Sequence, residues 1–206
     1  MLDLFCCQGG ASAGYVAAGF EVTGVDRDPQ ARYPFEFVQA DALRYLEEHG
    51  SEFDFIHASP PCQSYTKAQR IRGNSHPELI KSVRWLLNTS GKPWVIENVP
   101  GSERDMGEHI TLCGAFFGLH TYRHRLFEAG GGWSLDAPAH LAHTRDVVKM
   151  GRPLSEGDWY HAVGNFSGVG YVKNDLNVPW MNRDGIRECI PPVYAEYVGT
   201  QFLAQA

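Results

Sequence analysis

Long apolar runs are absent from this chain. No stretch approaches the ~20 consecutive apolar residues that a membrane-crossing helix needs. No basic patch followed by an apolar run opens the sequence, so no secretory leader is expected, and residues 2–5 read as a strand from which the fold starts. Cysteine is sparse: Cys6, Cys7, Cys62, Cys113 and Cys189 make an odd count with no C-x-x-C pair. A disulfide framework and a structural zinc site are therefore not expected, and reduced thiols in a cytoplasm are. Excess positive charge is missing too; the net charge of −6 speaks at first against nucleic acid. There is no internal repeat or low-complexity tract.

What remains is the composition of one soluble globular domain, or one with a small insertion. The 206 residues are 43% hydrophobic and 20% charged, enough to bury a core. The charge is uneven. Residues 1–63 hold ten acids and three bases, whereas residues 64–92 hold Lys67, Arg70, Arg72, Lys81, Arg84 and Lys92 against Glu78 alone. That run is a candidate phosphate-facing patch; a solvated helix face is the plainer alternative.

The first half alternates strand and helix signals. Strands are expected at 2–5, 21–25, 36–38, 53–57 and 94–99, and helices at 11–18, 42–49 and 77–88, the last with apolar residues at 3–4 spacing. Such β-α-β alternation predicts an α/β fold with a doubly wound, mostly parallel sheet. Ligands bind such sheets beyond the carboxyl ends of the strands. The turn at 7–10, Asp26, Asp41, the run 59–63 and Glu97 should therefore meet in one cleft. A further strand is expected at 126–129. The chain then becomes irregular over 130–183, and a Pro-started helix closes it at 193–203.

At the cofactor end, Gly9 and Gly10 let backbone approach a ligand closely, and Asp26 ends a strand where ribose hydroxyls are commonly held. Asp41 offers an acceptor to an adenine amino group. The turn is a poor match to G-x-G-x-x-G, so a methyl donor and a dinucleotide stay equally open here, and for either acid alone strand-end capping is the simpler reading.

At the chemical end, Ser59-Pro60-Pro61-Cys62-Gln63 holds a thiol behind two prolines that fix the turn. A lone cysteine is more often a small buried hydrophobe. Glu97 brings a carboxyl to the same edge, and Arg123 and Arg125 bring guanidinium groups that should lower the thiol pKa.

In this order the motifs resemble those of the DNA (cytosine-5) methyltransferases. Asp3-Leu4-Phe5 with Gly9-Gly10 resembles the first motif, and Asp26 and Asp41 resemble the second and third. Pro61-Cys62-Gln63 is similar to the catalytic motif, Glu97-Asn98-Val99 to the sixth and Arg123-x-Arg125 to the eighth. Ile190-Pro191-Pro192 resembles the last, which returns to the cofactor site. The resemblance implies a Rossmann-like methyltransferase sheet over 1–129 and 184–206, with 130–183 as a short target-recognition insertion. It implies S-adenosylmethionine as cofactor, at Phe5, Gly9, Gly10, Asp26, Asp41 and Pro61, with Phe5 on the adenine. Catalysis would fall to Cys62, Glu97, Arg123 and Arg125, acting on a cytosine flipped out of duplex DNA. A monomer in the cytoplasm of a bacterial cell or phage-infected host is implied, with a cognate restriction nuclease as an open matter. The pattern departs at Cys7, where the family has glycine, at Thr121, and at Arg187-Glu188, to which no role is given.

In the insertion, Arg145, Lys149, Arg152 and Lys173 are candidates for DNA contact, while Trp133, Trp159, Tyr160 and Trp180 are expected to form a small aromatic core. His140-x-x-His143 lacks a further cysteine or histidine pair at ligand spacing, so these are expected to be solvated histidines and no metal is expected. Three rivals remain. An amino-group methyltransferase would need an aromatic residue where Cys62 stands. An RNA cytosine-C5 methyltransferase would share the catalytic plan. A catalytically silent cofactor- or DNA-binding regulator would not need the full set.

Overall fold

The computed structural model describes residues 1–65, 78–149 and 151–206. Seven strands form one sheet in the order β3-β2-β1-β4-β5-β7-β6. They are β1 (Leu2–Leu4), β2 (Thr23–Asp26), β3 (Glu36–Gln39), β4 (Ile56–Ala58), β5 (Trp94–Asn98), β6 (Ile110–Leu112) and β7 (Arg125–Gly130). β1 to β5 pair in parallel, while β7 runs antiparallel to both β5 and β6. The expected α/β fold with a mostly parallel, Rossmann-like sheet is thus observed.

Both faces of the sheet are covered, so β1, β4 and β5 are buried along their whole length, polar Asp3 and His57 included. On one face Phe55, Val95 and Phe127 pack with α1 (Gly10–Ala18) and the last helix, α6 (Pro192–Leu203). On the other, Leu2, Leu4, Ile56 and Ile96 pack with α2 (Ala42–His49) and α3 (Ile80–Ser90). Local chemistry sets these helices. Asp41 caps α2, accepting from the amides of Leu43 (3.1 Å) and Arg44 (3.0 Å). Buried Ile80, Val83 and Leu87 give α3 its inward face. α1 and α6 cross so closely that a Cβ on Gly14 would overlap the Pro192 carbonyl and come within 2.7 Å of the Glu196 amide.

The stretch 130–183 is not set apart from the body. Tyr160, Ala162, Phe166, Val172, Leu176, Val178 and Met181 belong to the same core cluster as Tyr15 and Val198. Its aromatics do not form a core of their own: Trp133 packs on Phe55 and Phe202, Trp159 on Tyr122, and the Trp180 indole donates to the Gln8 carbonyl at 2.7 Å. Too short to bury its own apolar side chains, the segment uses the catalytic body instead. It also contains a helix the pattern did not predict, α4 (Val169–Asp175), and leads into α5 (Arg183–Glu188).

The basic run divides. Lys67, Arg70 and Arg72 lie outside the described residues. Arg84 is engaged with Glu128 and donates to the Asp105 carbonyl at 2.7 Å, while Lys81 pairs with Asp105 at 3.1 Å. These two serve helix packing, because acids from the neighbouring strand and loop claim them.

Candidate functional site

Strand direction builds the site. The parallel strands deliver the residues that follow them to one edge, and a cleft of about 520 Å³ opens there. Phe5 follows β1, Asp26 ends β2, Asp41 follows β3, Pro61 and Cys62 follow β4, and Glu97 is the penultimate residue of β5; all line this cleft. β7 is antiparallel, so its first residue, Arg125, stands at the same edge. In the register Glu97 faces Phe127, which places Arg125 on the diagonal of the same sheet face. Arg125 Nε lies 2.9 Å from Glu97 Oε1. The N–H is not aligned with the oxygen, and Glu97 Oε1 has no hydrogen bond among the described residues, so the contact is an ion pair.

Burial dominates the electrostatics. It raises the Glu97 pKa to about 7, and the pull of Arg125 and Arg123 only partly offsets it. The Cys62 thiol is also raised, first by burial and then by the Glu97 carboxylate, which together outweigh Arg125. Arg125 does pull the thiol pKa down, as expected of a guanidinium group, but burial and the Glu97 carboxylate are the larger influences and the net shift is upward. The thiol's loop is held from β5, where Asn98 Nδ2 donates to the Pro60 carbonyl at 2.9 Å and Asn98 Oδ1 accepts from the Val99 amide.

Arg123 does not line the cleft. Its buried guanidinium donates to the carbonyls of Ala162, Ile186, Arg187 and Cys189 at 2.7–3.2 Å. It fixes the chain before α6 and acts on Glu97 only through its field. Nothing local in the sequence announces partners about sixty residues away.

At the cofactor end, Asp26 accepts from the amides of Cys7 and Asp28, both at 3.0 Å. Gly9 adopts φ +81° before α1, a left-handed conformation suited to glycine, while Gly10 touches the far end of the chain. A Cβ there would meet Ile190 O at 2.5 Å and Cys189 Sγ at 2.6 Å. Cys7, where the resemblance calls for glycine, is also left-handed at φ +46°. Residues with no assigned role also enter the wall: Arg187, Glu188 and Asp3. Asp3 accepts from the Ser12 hydroxyl, its pKa is pushed up to about 7 by burial, and its Oδ1 has no hydrogen-bond partner among the described residues. An orphaned buried acceptor beside a glycine turn and two strand-end acids fits a nucleoside ligand that brings its own donors.

The histidines are not merely solvated. His140 and His143 are exposed, but His143 stacks on His124, His140 lies tilted against it, and their ring nitrogens gather with Cys113 Sγ, from residues too far apart in sequence for a spacing rule to find.

The family model for C-5 cytosine-specific DNA methylase matches residues 1–112. Among characterised proteins, the Type II methyltransferase M.FnuDI of Fusobacterium nucleatum is 28% identical over 158 residues, covering 63% of this chain and 46% of that protein. M.XorII of Xanthomonas oryzae pv. oryzae is 32% identical over 118 residues, covering 48% and 28%. The chain thus spans less than half the length of these relatives. A solved Entamoeba histolytica methyltransferase, EhMeth, superposes with a TM-score of 0.65 over 99% of this chain and 97% of its own, at 11% identity, which is a likeness of fold. Among the described residues, no helix is long and apolar enough to cross a membrane.

Proposed function

The chain belongs to the C-5 cytosine-specific DNA methylase family, and from that premise we propose that it methylates carbon 5 of a cytosine flipped out of duplex DNA, with S-adenosylmethionine as donor. The observation that carries the reading is the meeting of the Cys62 thiol and the Glu97–Arg125 pair in one cleft with the strand-end acids. Phe5, Gly10, Asp3, Asp26, Asp41 and Pro61 would hold the donor, with Gly9 shaping the turn. S-adenosylmethionine supplies an electrophilic methyl group.

The chain's own groups prepare the base. Cytosine C5 is a poor nucleophile. The Cys62 thiol gives its proton to solvent and the thiolate adds to C6; the C5–C6 π electrons shift to the C4–C5 bond as N3 is protonated, so that C5 becomes the carbon end of an enamine. Glu97, with its pKa near neutrality, presents a proton to N3 and accepts from the 4-amino group. Arg125 meets the ring carbonyl. When Glu97 gives its proton to N3, the carboxylate it becomes is stabilised by Arg125, 2.9 Å away. After methylation, loss of the C5 proton and expulsion of the Cys62 sulfur restore the aromatic ring and the enzyme. Arg123 positions the wall through the carbonyls it holds.

The test is trapping. Duplex DNA containing 5-fluorocytosine, incubated with the donor, should give a covalent adduct that Cys62→Ser abolishes. An adduct that persists in that variant, or methyl transfer to tRNA with none to DNA, defeats the proposal. Sequencing 5-methylcytosine in DNA from expressing cells would give the target site.

A further inference from the structure

A second cluster of reactive side chains lies outside the cleft. Cys113 follows β6, His124 immediately precedes β7, and His140 and His143 come from the irregular stretch beyond β7. One ligand atom from each converges, all four within 4.8 Å of one another. We propose that Cys113, His124, His140 and His143 bind a zinc ion that fastens the irregular stretch to the catalytic sheet.

The distances argue for a shared centre. His124 Nε2 stands 3.1 Å from His140 Nε2, and Cys113 Sγ stands 3.5 Å from His143 Nε2. A tetrahedral zinc with ordinary bond lengths separates two imidazole nitrogens by about 3.3 Å, and a sulfur from a nitrogen by about 3.6 Å. Either pair alone could be a hydrogen bond. Two such pairs with all four ligand atoms within 4.8 Å of one another are not explained that way, because hydrogen bonds place no demand on the second pair. The rings are also held for the task. Tyr122 stacks on His143 at 3.7 Å between centroids, and His143 stacks on His124 at 4.9 Å. Tyr122 OH bridges the Arg145 amide and carbonyl at 2.9 and 3.1 Å, which holds the backbone just past His143.

The donor chemistry selects the ion. One thiolate and three imidazoles suit zinc and not calcium or magnesium, which require oxygen ligands. Four protein ligands fill a tetrahedron and leave no open position, so the site is structural. Cys113 is buried and would give its thiol proton to solvent on binding, leaving a centre of net charge +1. The ion would matter where it sits. Between β7 and the isolated bridge of Val147 to Trp159, the described residues contain no helix or strand, so side chains must hold this stretch in place. His124 adjoins Arg125, so the ion would also anchor the strand start that faces Glu97.

The test uses the full chain carrying a histidine-free affinity tag, purified without chelator and assayed by elemental mass spectrometry. Close to one zinc ion per chain is expected. Cys113→Ser and the double variant His140→Gln/His143→Gln should each lose about tenfold or more of that content. The double variant changes only exposed side chains, so it decides the matter if Cys113→Ser fails to fold. Cobalt(II) added to chelator-treated protein should give a thiolate charge-transfer band that Cys113→Ser lacks. A wild-type chain that binds neither metal, or zinc retained in full by the double variant, overturns the proposal.

Discussion

Glu97→Gln should make the protein more stable than wild type, and increasingly so as pH rises. Glu97 is 5% exposed, and burial raises its pKa from 4.5 to about 7. Between those values the folded state binds more protons than the unfolded state, so stability falls as pH increases through the window. The full cost of carrying the ionised group is about 3 kcal/mol, from 1.36 kcal/mol per pKa unit. Between about pH 5 and about pH 8 the same linkage predicts a wild-type loss of about 2–3 kcal/mol that the amide does not share. Asp3 is raised chiefly by its own burial, which both proteins share; the Glu97 carboxylate is the smallest cause of its shift, so most of the Asp3 contribution cancels in the difference. Denaturant unfolding of both proteins at the two pH values measures the quantity directly. A difference that stays constant or shrinks with pH would show that Glu97 is ionised near its ordinary pKa, and the proton assigned to it in catalysis would have no source.

Three further outcomes follow from the same geometry. Alkylation of Cys62, followed by site-resolved mass spectrometry, should rise only above the usual thiol range and should start at lower pH in Glu97→Gln, since the carboxylate is one cause of the raised thiol pKa; an unchanged profile contradicts that coupling. Gly14→Ala, ordinarily a gain inside a helix, should cost about 1–3 kcal/mol in thermal or chemical unfolding, because the added methyl meets the α6 backbone. Arg84→Ala should cost about 3 kcal/mol by breaking the pair with Glu128, while leaving the salt dependence of DNA binding unaltered; a shallower salt slope would return Arg84 to the phosphate-facing patch.

How much of this was legible in the sequence depended on range. β1 to β5 could be read because short, mostly apolar runs bounded by turn residues alternate with helix signals, even though Asp3 and His57 interrupt β1 and β4, and β3 has exposed ends. Their order then carried Phe5, Asp26, Asp41, Cys62 and Glu97 to one edge by topology alone. β6, three residues long and half-buried, left no such trace. Arg123 was legible as part of an Arg-x-Arg motif but not as a clamp, since its partners are backbone carbonyls of residues 162–189. The weak periodicity of 130–183 marked it as an irregular insertion but gave no sign that Tyr160, Phe166 and Val172 complete the core of the sheet, because their partners lie far along the chain. Cys113 and His143 are thirty residues apart and meet only because β7 returns beside β6.

The contact of Gly10 with Ile190 also bears on how the molecule comes into being. One wall of the cleft is made near residue 10 and the wall against it near residue 190, so the pocket is among the most sequence-distant pairings in the chain. Loop closure on that scale is slow and rewarded late. During synthesis the thiol and carboxyl of residues 62 and 97 emerge long before the segment that completes the space around them. A ribosome-bound chain stopped short of α5 would carry the reactive groups without a finished pocket, and donor binding should begin abruptly once the final helix can reach α1.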